Sequence, residues 1–164
     1  MTVRIELMIP ADWLDVRAIY EEGIATGLGT FETVASSWEE WNAARLPDSR
    51  SVARDRSTVG WAALGPVSRR ACYAGVAEVG IYIAASARGH GVGQALLEAI
   101  IESSEAHGIW TLQGVTIAEN AASLALQARC GFRVVGQRER IGKLAGIWRD
   151  TVLTERRSKK VGLN

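Results

Sequence analysis

Glu78 to Gln94 reads EVGIYIAASARGHGVGQ, and this stretch decides how the rest of the chain is interpreted. Val79, Ile81 and Ile83 alternate with Glu78, Gly80 and Tyr82, the period of a β-strand with two different faces. A short connector, Ala84 to Ala87, leads into Arg88-Gly89-His90-Gly91-Val92-Gly93. A good helix former follows, with apolar residues at Val92, Ala95, Leu96, Ala99 and Ile100. Strand, glycine turn and helix start, in this order, make a site for an anion. Glycine lets the backbone approach a ligand closely, and a helix N-terminus offers unpaired N–H groups and a favourable dipole. The first acid in the helix is Glu98, and Arg88 adds a positive charge at the mouth.

Spacing narrows the anion. The dinucleotide fingerprint G-x-G-x-x-G fails, because its last glycine would fall on Gln94 or Leu96. A Walker loop needs a Lys after the glycines, and none is present. What remains is R-x-x-G-x-G, carried by Arg88, Gly91 and Gly93. It resembles the coenzyme A pyrophosphate loop of the GNAT N-acetyltransferases. The resemblance implies acetyl-CoA as acyl donor, with Arg88, Gly89, His90, Gly91, Val92, Gly93 and Gln94 at its diphosphate and Ile81, Tyr82 and Ile83 along its path. His90 is expected to face solvent rather than take part in the chemistry.

The chain has 164 residues, enough for one domain that buries about two-thirds of its unfolded surface. A net charge of +1 gives no electrostatic case for nucleic acid or an anionic membrane. Cys72 and Cys130 have no motif spacing and suit a reducing compartment. His90 and His107 are the only histidines and stand outside any ligand-spaced cluster, so no metal is expected. The opening MTVRIELMIP lacks the apolar run of a signal peptide, which makes the cytoplasm the expected location.

In chain order, Val3 to Ile9 reads as a strand, and Pro10-Ala11-Asp12 opens a helix with Asp12 as N-cap and Trp13, Val16, Ile19 and Tyr20 inward. Gly23 to Val34 is a glycine-rich loop carrying Phe31 and Glu32. Ser36 or Ser37 caps a second helix, with Glu39 or Glu40 closing a capping box. Ser51 to Arg56 and Val59 to Leu64 form a hairpin, and Tyr73 to Ile83 is a long strand. Beyond the central helix come a strand, Trp110 to Ile117, and a short helix, Asn120 to Arg129. A closing pair, Phe132 to Ile141 and Ile147 to Thr154, is joined through Gly142 to Gly146. Residues 155–164 read as a frayed basic tail on a single domain spanning residues 1–164. The order β-α-α-β-β-β-α-β-α-β-β predicts an α/β (α+β) fold: one mixed, mostly antiparallel sheet flanked by helices. That is also the GNAT order.

Two further segments resemble one branch of that family, the phosphinothricin and methionine sulfoximine N-acetyltransferases. They are Arg70-x-x-Tyr73 followed by Glu78, and Gly142-Lys143-x-x-Gly146-x-Trp148-x-Asp150. Asn120-x-x-Ser123 is similar to the GNAT segment along the pantetheine arm. Where many GNAT enzymes carry Tyr, and this branch often His, the chain has Gln127, which cannot serve as an acid.

Acetyl transfer to an amine needs the neutral amine, a polarised thioester carbonyl and a proton for the thiolate. A free α-amino group titrates near ~8, so a base must remove its proton at neutral pH. Glu78 is the candidate; the alternative is an ion pair with an arginine at a sheet end. The resemblance puts a backbone N–H near Ile81 at the carbonyl. Arg70, with Tyr73, is the candidate for a carboxylate of the acceptor, the alternative being a solvated loop charge. Phe31 and Glu32 sit in the loop that walls the acceptor pocket in GNAT enzymes, against readings as core and as surface acid. Gly80 is expected to leave room for the acceptor. The branch implies a homodimer and a small amino-acid-like acceptor: phosphinothricin, methionine sulfoximine or methionine sulfone. Other amines form the nearest alternative, and a coenzyme A sensor without turnover is the alternative of a different class.

Overall fold

The computed structural model describes residues 1–164. Seven strands form one sheet in the order β1-β2-β3-β4-β5-β7-β6. They are β1 (Arg4–Leu7), β2 (Arg50–Arg54), β3 (Thr58–Pro66), β4 (Val76–Ile83), β5 (Thr111–Ile117), β6 (Arg133–Leu144) and β7 (Ile147–Arg157). The helices are α1 (Trp13–Ala25), α2 (Trp38–Ala43), α3 (Val92–Ala106) and α4 (Ala121–Arg129). Element order matches the sequence reading throughout. Every neighbouring pair is antiparallel except β4 with β5, so the sheet is mixed.

Two cores cover its faces. On one, Leu96, Leu97 and Ile100 of α3 pack on Ala62, Leu64 and Ala77, with Val79, Ile81 and Ile83 of β4 half-buried against them. Fully burying each such leucine or isoleucine contributes roughly 1.5–3 kcal/mol. On the other face, Val16, Ile19 and Tyr20 of α1 and Trp41 of α2 cover Val52, Trp61 and Ala63. Tyr82 belongs to this second layer: its ring stacks on Trp61 at 4.9 Å and meets Tyr20 edge-on at 4.8 Å. The alternation along β4 thus separates an α3 face from an α1–α2 face, and Glu78 and Gly80 point with Tyr82.

Ser37 caps α2 in the expected box: its Oγ accepts from the Glu40 N–H, and Glu40 Oε2 accepts from the Ser37 N–H at 2.9 Å. Asp12 does not cap α1. Its buried carboxylate accepts from the Ile9 N–H at 3.0 Å and from Arg54 Nη2 at 2.8 Å, because the sheet offers it a charged partner. Tyr73 lies in a single helical turn before β4, and Gly23 lies within α1.

The basic tail is held. β7 runs to Arg157, and Glu105 of α3, whose side chain is 7% exposed, accepts from Arg156 Nη1 at 3.1 Å and Ser158 Oγ at 2.9 Å and pairs with Lys160. A buried acid recruits basic residues that look featureless in sequence. Burial opposes ionisation of Glu105, but the bonds from Arg156, Lys160 and Ser158 outweigh it and hold its pKa below the ordinary value. The lowered pKa stabilises the fold above the unfolded carboxyl's pKa, and the contribution disappears as pH falls through the folded one. Glu105→Gln should therefore cost about 3 kcal/mol at pH 7 in urea unfolding. The gap from wild type should narrow below about pH 4; a constant gap would show that the charge is not what holds the tail.

Candidate active site

The β4–β5 ladder is short. It pairs Val76 with Thr111, Ala77 with Leu112 and Glu78 with Gln113, then stops. Beyond that point β5 is paired only with β7, while β4 runs on to Ile83 against β3. The Ala84 N–H donates to Val59 O at 2.9 Å, and bonding alternates along an antiparallel ladder. By that alternation the N–H and C=O groups of Val79, Ile81 and Ile83 face the split rather than β3. Arg88 Nε donates to Ile83 O at 3.1 Å, in keeping with that direction.

The split opens into a cleft of about 630 Å³, walled by Val79 to Ile83, by Val115 to Ile117 and by α4. Its far end is the glycine turn. Gly89 and Gly91 have φ of 78° and 81°, the left-handed region that favours glycine, and a Cβ on either would meet open space. Gly91 stands at the N-cap of α3, so the first N–H groups of the helix have no side-chain cap. Gly93 lets α3 approach Leu126 of α4, where an added Cβ would lie 3.1 Å from Cδ2. Arg88, Gly89, Gly91, Val92, Gly93 and Gln94 line this end, as do Ile81, Tyr82, Ile83, Asn120 and Ser123 further along. His90 is exposed and lies off the lining. An uncapped helix start beside Arg88 and Arg129, joined to an unpaired strand edge, suits a long ligand with a phosphorylated end.

Glu78 sits at the apex of the split. Its Oε2 accepts from Gln113 Nε2 at 2.7 Å, while Oε1 has no protein donor. Tyr82 Oη donates to Gly29 O at 3.1 Å, and Asn120 Nδ2 donates to Leu28 O at 3.2 Å. These two bonds fasten the glycine-rich loop across the cleft. Phe31 anchors the same loop from its other end, seated where a Cβ on Gly142 of β6 would come within 2.6 Å. Burial first, then Tyr20, pushes the Tyr82 phenol well above its ordinary range, so it remains a neutral hydroxyl.

Gln127 lines the cleft but is 3% exposed and fully engaged. Its Nε2 donates to Thr116 Oγ1 at 2.9 Å and to Ser123 Oγ at 3.1 Å, and its Oε1 accepts from Thr154 Oγ1. The amide thus ties α4 to β5 and β7.

Several expected residues lie elsewhere. Arg70 and Tyr73 form an exposed cation–π pair, 5.5 Å from charge to ring, on the connector into β4 and off the cleft lining. Glu32 is exposed, and its backbone N–H bonds Thr30 Oγ1. Lys143 lies over Trp148 at 5.4 Å in the β6–β7 hairpin, and Asp150 accepts from Gln137 and the Arg140 N–H. The space expected beside Gly80 holds the Arg45 guanidinium, 3.6 Å from where a Cβ would be. Sequence reasoning missed Arg45, Gln113, Leu28 and Gly29. The one local signal was Gly65 and Gly80 on what become adjacent strands, small residues that leave room for something large above them.

Gln127→Leu would leave Thr116 and Thr154 without their buried partner and should cost about 2–3 kcal/mol in urea unfolding. A variant as stable as wild type would make the network dispensable.

Known proteins place this architecture. The chain is 35% identical over 149 residues to the phosphinothricin N-acetyltransferase of Alcaligenes faecalis, covering 86% of this chain and 75% of the relative. It is 29% identical to an L-methionine sulfoximine/L-methionine sulfone acetyltransferase of Pseudomonas paraeruginosa, covering 85% and 86%. A phosphinothricin acetyltransferase from Sinorhizobium meliloti, solved in complex with AcCoA, superposes with a TM-score of 0.91 at 26% identity, covering 100% of this chain and 92% of the other. The acetyltransferase (GNAT) family profile matches residues 15–132, so the split sheet and glycine-capped helix are those of an acyltransferase, and the chain belongs to the GNAT family.

Proposed function

We propose that this protein moves an acetyl group from acetyl-CoA to the α-amino group of a small amino-acid-like acceptor of the phosphinothricin, methionine sulfoximine or methionine sulfone type. The observation that carries the reading is a cleft that joins a glycine-capped helix start to an unpaired strand edge, with the Glu78 carboxylate just outside its lining, at the last β4–β5 pair before the split. The names of the relatives supply the acceptor class.

The cleft fits the donor. Open left-handed glycines and Arg88 offer N–H groups and charge to a diphosphate, and Asn120 and Ser123 border the route of the pantetheine arm. A fork-facing N–H near Ile81 polarises the thioester carbonyl. Glu78 takes the ammonium proton of the acceptor, directly or through a water, on the carboxylate oxygen that Gln113 leaves free. The amine then attacks the carbonyl in a direct transfer, and the nitrogen gives up its second proton to solvent as the amide forms. The thiolate leaves and is protonated from solvent, as suits a group of pKa near ~8.5 and a Gln127 with no acidic proton. Phe31 walls the acceptor side, and exposed Glu32, like Arg70 over Tyr73, serves as an outer contact. A homodimer is supported by Val134, Val135, Ile141, Ile147 and Trp148, exposed along β6 and β7. Cytoplasmic residence belongs to the same reading; no helix is long and apolar enough to cross a membrane.

Thiol release from acetyl-CoA across a panel of amines tests the activity: tight coenzyme A binding without acceptor-dependent release would favour a sensor instead. Glu78→Gln should lower kcat by roughly 10²–10⁴ and leave the acetyl-CoA KM within about threefold. Its residual rate should climb about tenfold per pH unit below the pKa of the acceptor amine, since only free amine then reacts. A variant with the wild-type pH profile removes Glu78 from the mechanism. Arg70→Ala should raise the acceptor KM more than the acetyl-CoA KM; the opposite pattern moves Arg70 to the donor.

A further inference from the structure

We propose that Arg45 determines acceptor specificity by binding the α-carboxylate of the amino acid on a glycine-paved floor beside Glu78. The inference rests on the acceptor class proposed above and assigns the anchor within it.

Arg45 follows α2 and lies on the Glu78, Gly80 and Tyr82 face of β4. Its Nη1 is 3.2 Å from where a Cβ on Gly65 would be, and its Nη2 is 3.6 Å from that of Gly80. Gly65 is the register partner of Glu78, and Gly80 is the next residue on the same face. A Cβ at Gly65 would press on the guanidinium, and one at Gly80 would touch it at ordinary contact distance.

The guanidinium donates to no protein acceptor, and its Nε is buried without a partner. A planar fork of five donors with part of it desolvated is costly unless an anion meets it. Glu78 is not that anion: no ion pair joins the two, and the Glu78 carboxylate is held by Gln113. The neighbouring charge is positive. Burial, then Arg45, presses the Arg50 guanidinium below its ordinary pKa, with Asp48 only partly opposing them.

Its backbone is well anchored. Leu46 N–H donates to Leu64 O at 2.8 Å, and Arg50 bonds the carbonyls of Asn42, Arg45 and Leu46. These bonds fix the backbone that carries the side chain, and a guanidinium presented from a fixed backbone can bind a carboxylate bidentately. In an α-amino acid one carbon separates the carboxylate from the amine. With the carboxylate on Arg45, over Gly80 and Gly65, the amine is set towards Glu78. The same contact rejects amines that lack a carboxylate, because the guanidinium then stays unpaired.

The test compares methionine sulfone with methylsulfonylpropylamine, the same molecule without its carboxylate. Both are assayed with acetyl-CoA on wild type, Arg45→Gln and Arg45→Lys. For Arg45→Gln the sulfone KM should rise about tenfold or more, while the amine and acetyl-CoA KM values stay within about twofold. Arg45→Lys, which keeps the charge and loses the fork, should fall between, and it decides by the same ratio if Arg45→Gln does not fold. Equal changes on both acceptors, or none on either, overturn the assignment. A wild type that acetylates no amino acid is a different failure, visible before any variant is made; it overturns the acceptor class and the anchor with it.

Discussion

The parting of β4 from β5 after Glu78 and Gln113 is the constraint on which this structure depends. A parallel pair that continued would satisfy the strand-edge groups of Val79, Ile81 and Ile83 and leave no cleft. By ending after three pairs, the sheet keeps polar backbone exposed in its middle, where a ligand can bond it. Such exposure is costly in a protein interior unless solvent or ligand covers it. The features on either side serve to hold the split open. Gln127 ties α4 to β5 and β7 on one side, and Gly93 seats α3 against Leu126.

The second layer aims the site. The aromatic cluster of Tyr20, Trp41, Trp61 and Tyr82 fixes the face of β4 that carries Glu78, and the Tyr82 hydroxyl reaches out of that cluster to hold the loop at Gly29. Packing thus shapes the cleft: an aromatic contact sets where the loop closes, and Leu28 and Gly29 of that loop line it. The connector after α2, pinned to β3 and to Arg50, brings a charged group onto the same floor.

Much of this was legible along the chain. Alternation over Glu78 to Ile83, the glycines after Arg88 and the helical stripe beyond them are local patterns, and the structure keeps each as strand, turn and helix. The capping box at Ser37 and Glu40 was readable for the same reason. What misled at Asp12 and at the tail was a distant partner. Asp12 looks like a helix cap until Arg54, across the sheet, takes its carboxylate. The basic tail looks frayed until Glu105 draws it in. Arg70 and Tyr73 are adjacent to Glu78 in sequence, yet their side chains pair with each other outside the cleft.

The sequence by itself determined the element order, the glycine turn that opens α3, the strand that carries Glu78 and the kinship these imply, because each rests on residues within a few positions of one another. Tertiary structure alone decided where β4 and β5 separate, which oxygen of Glu78 stays free, that Gln127 is a buried tie, and that Arg45 fills the space over Gly65 and Gly80. These are pairings between segments tens of residues apart. They depend on register and on which faces meet, quantities that no local periodicity encodes.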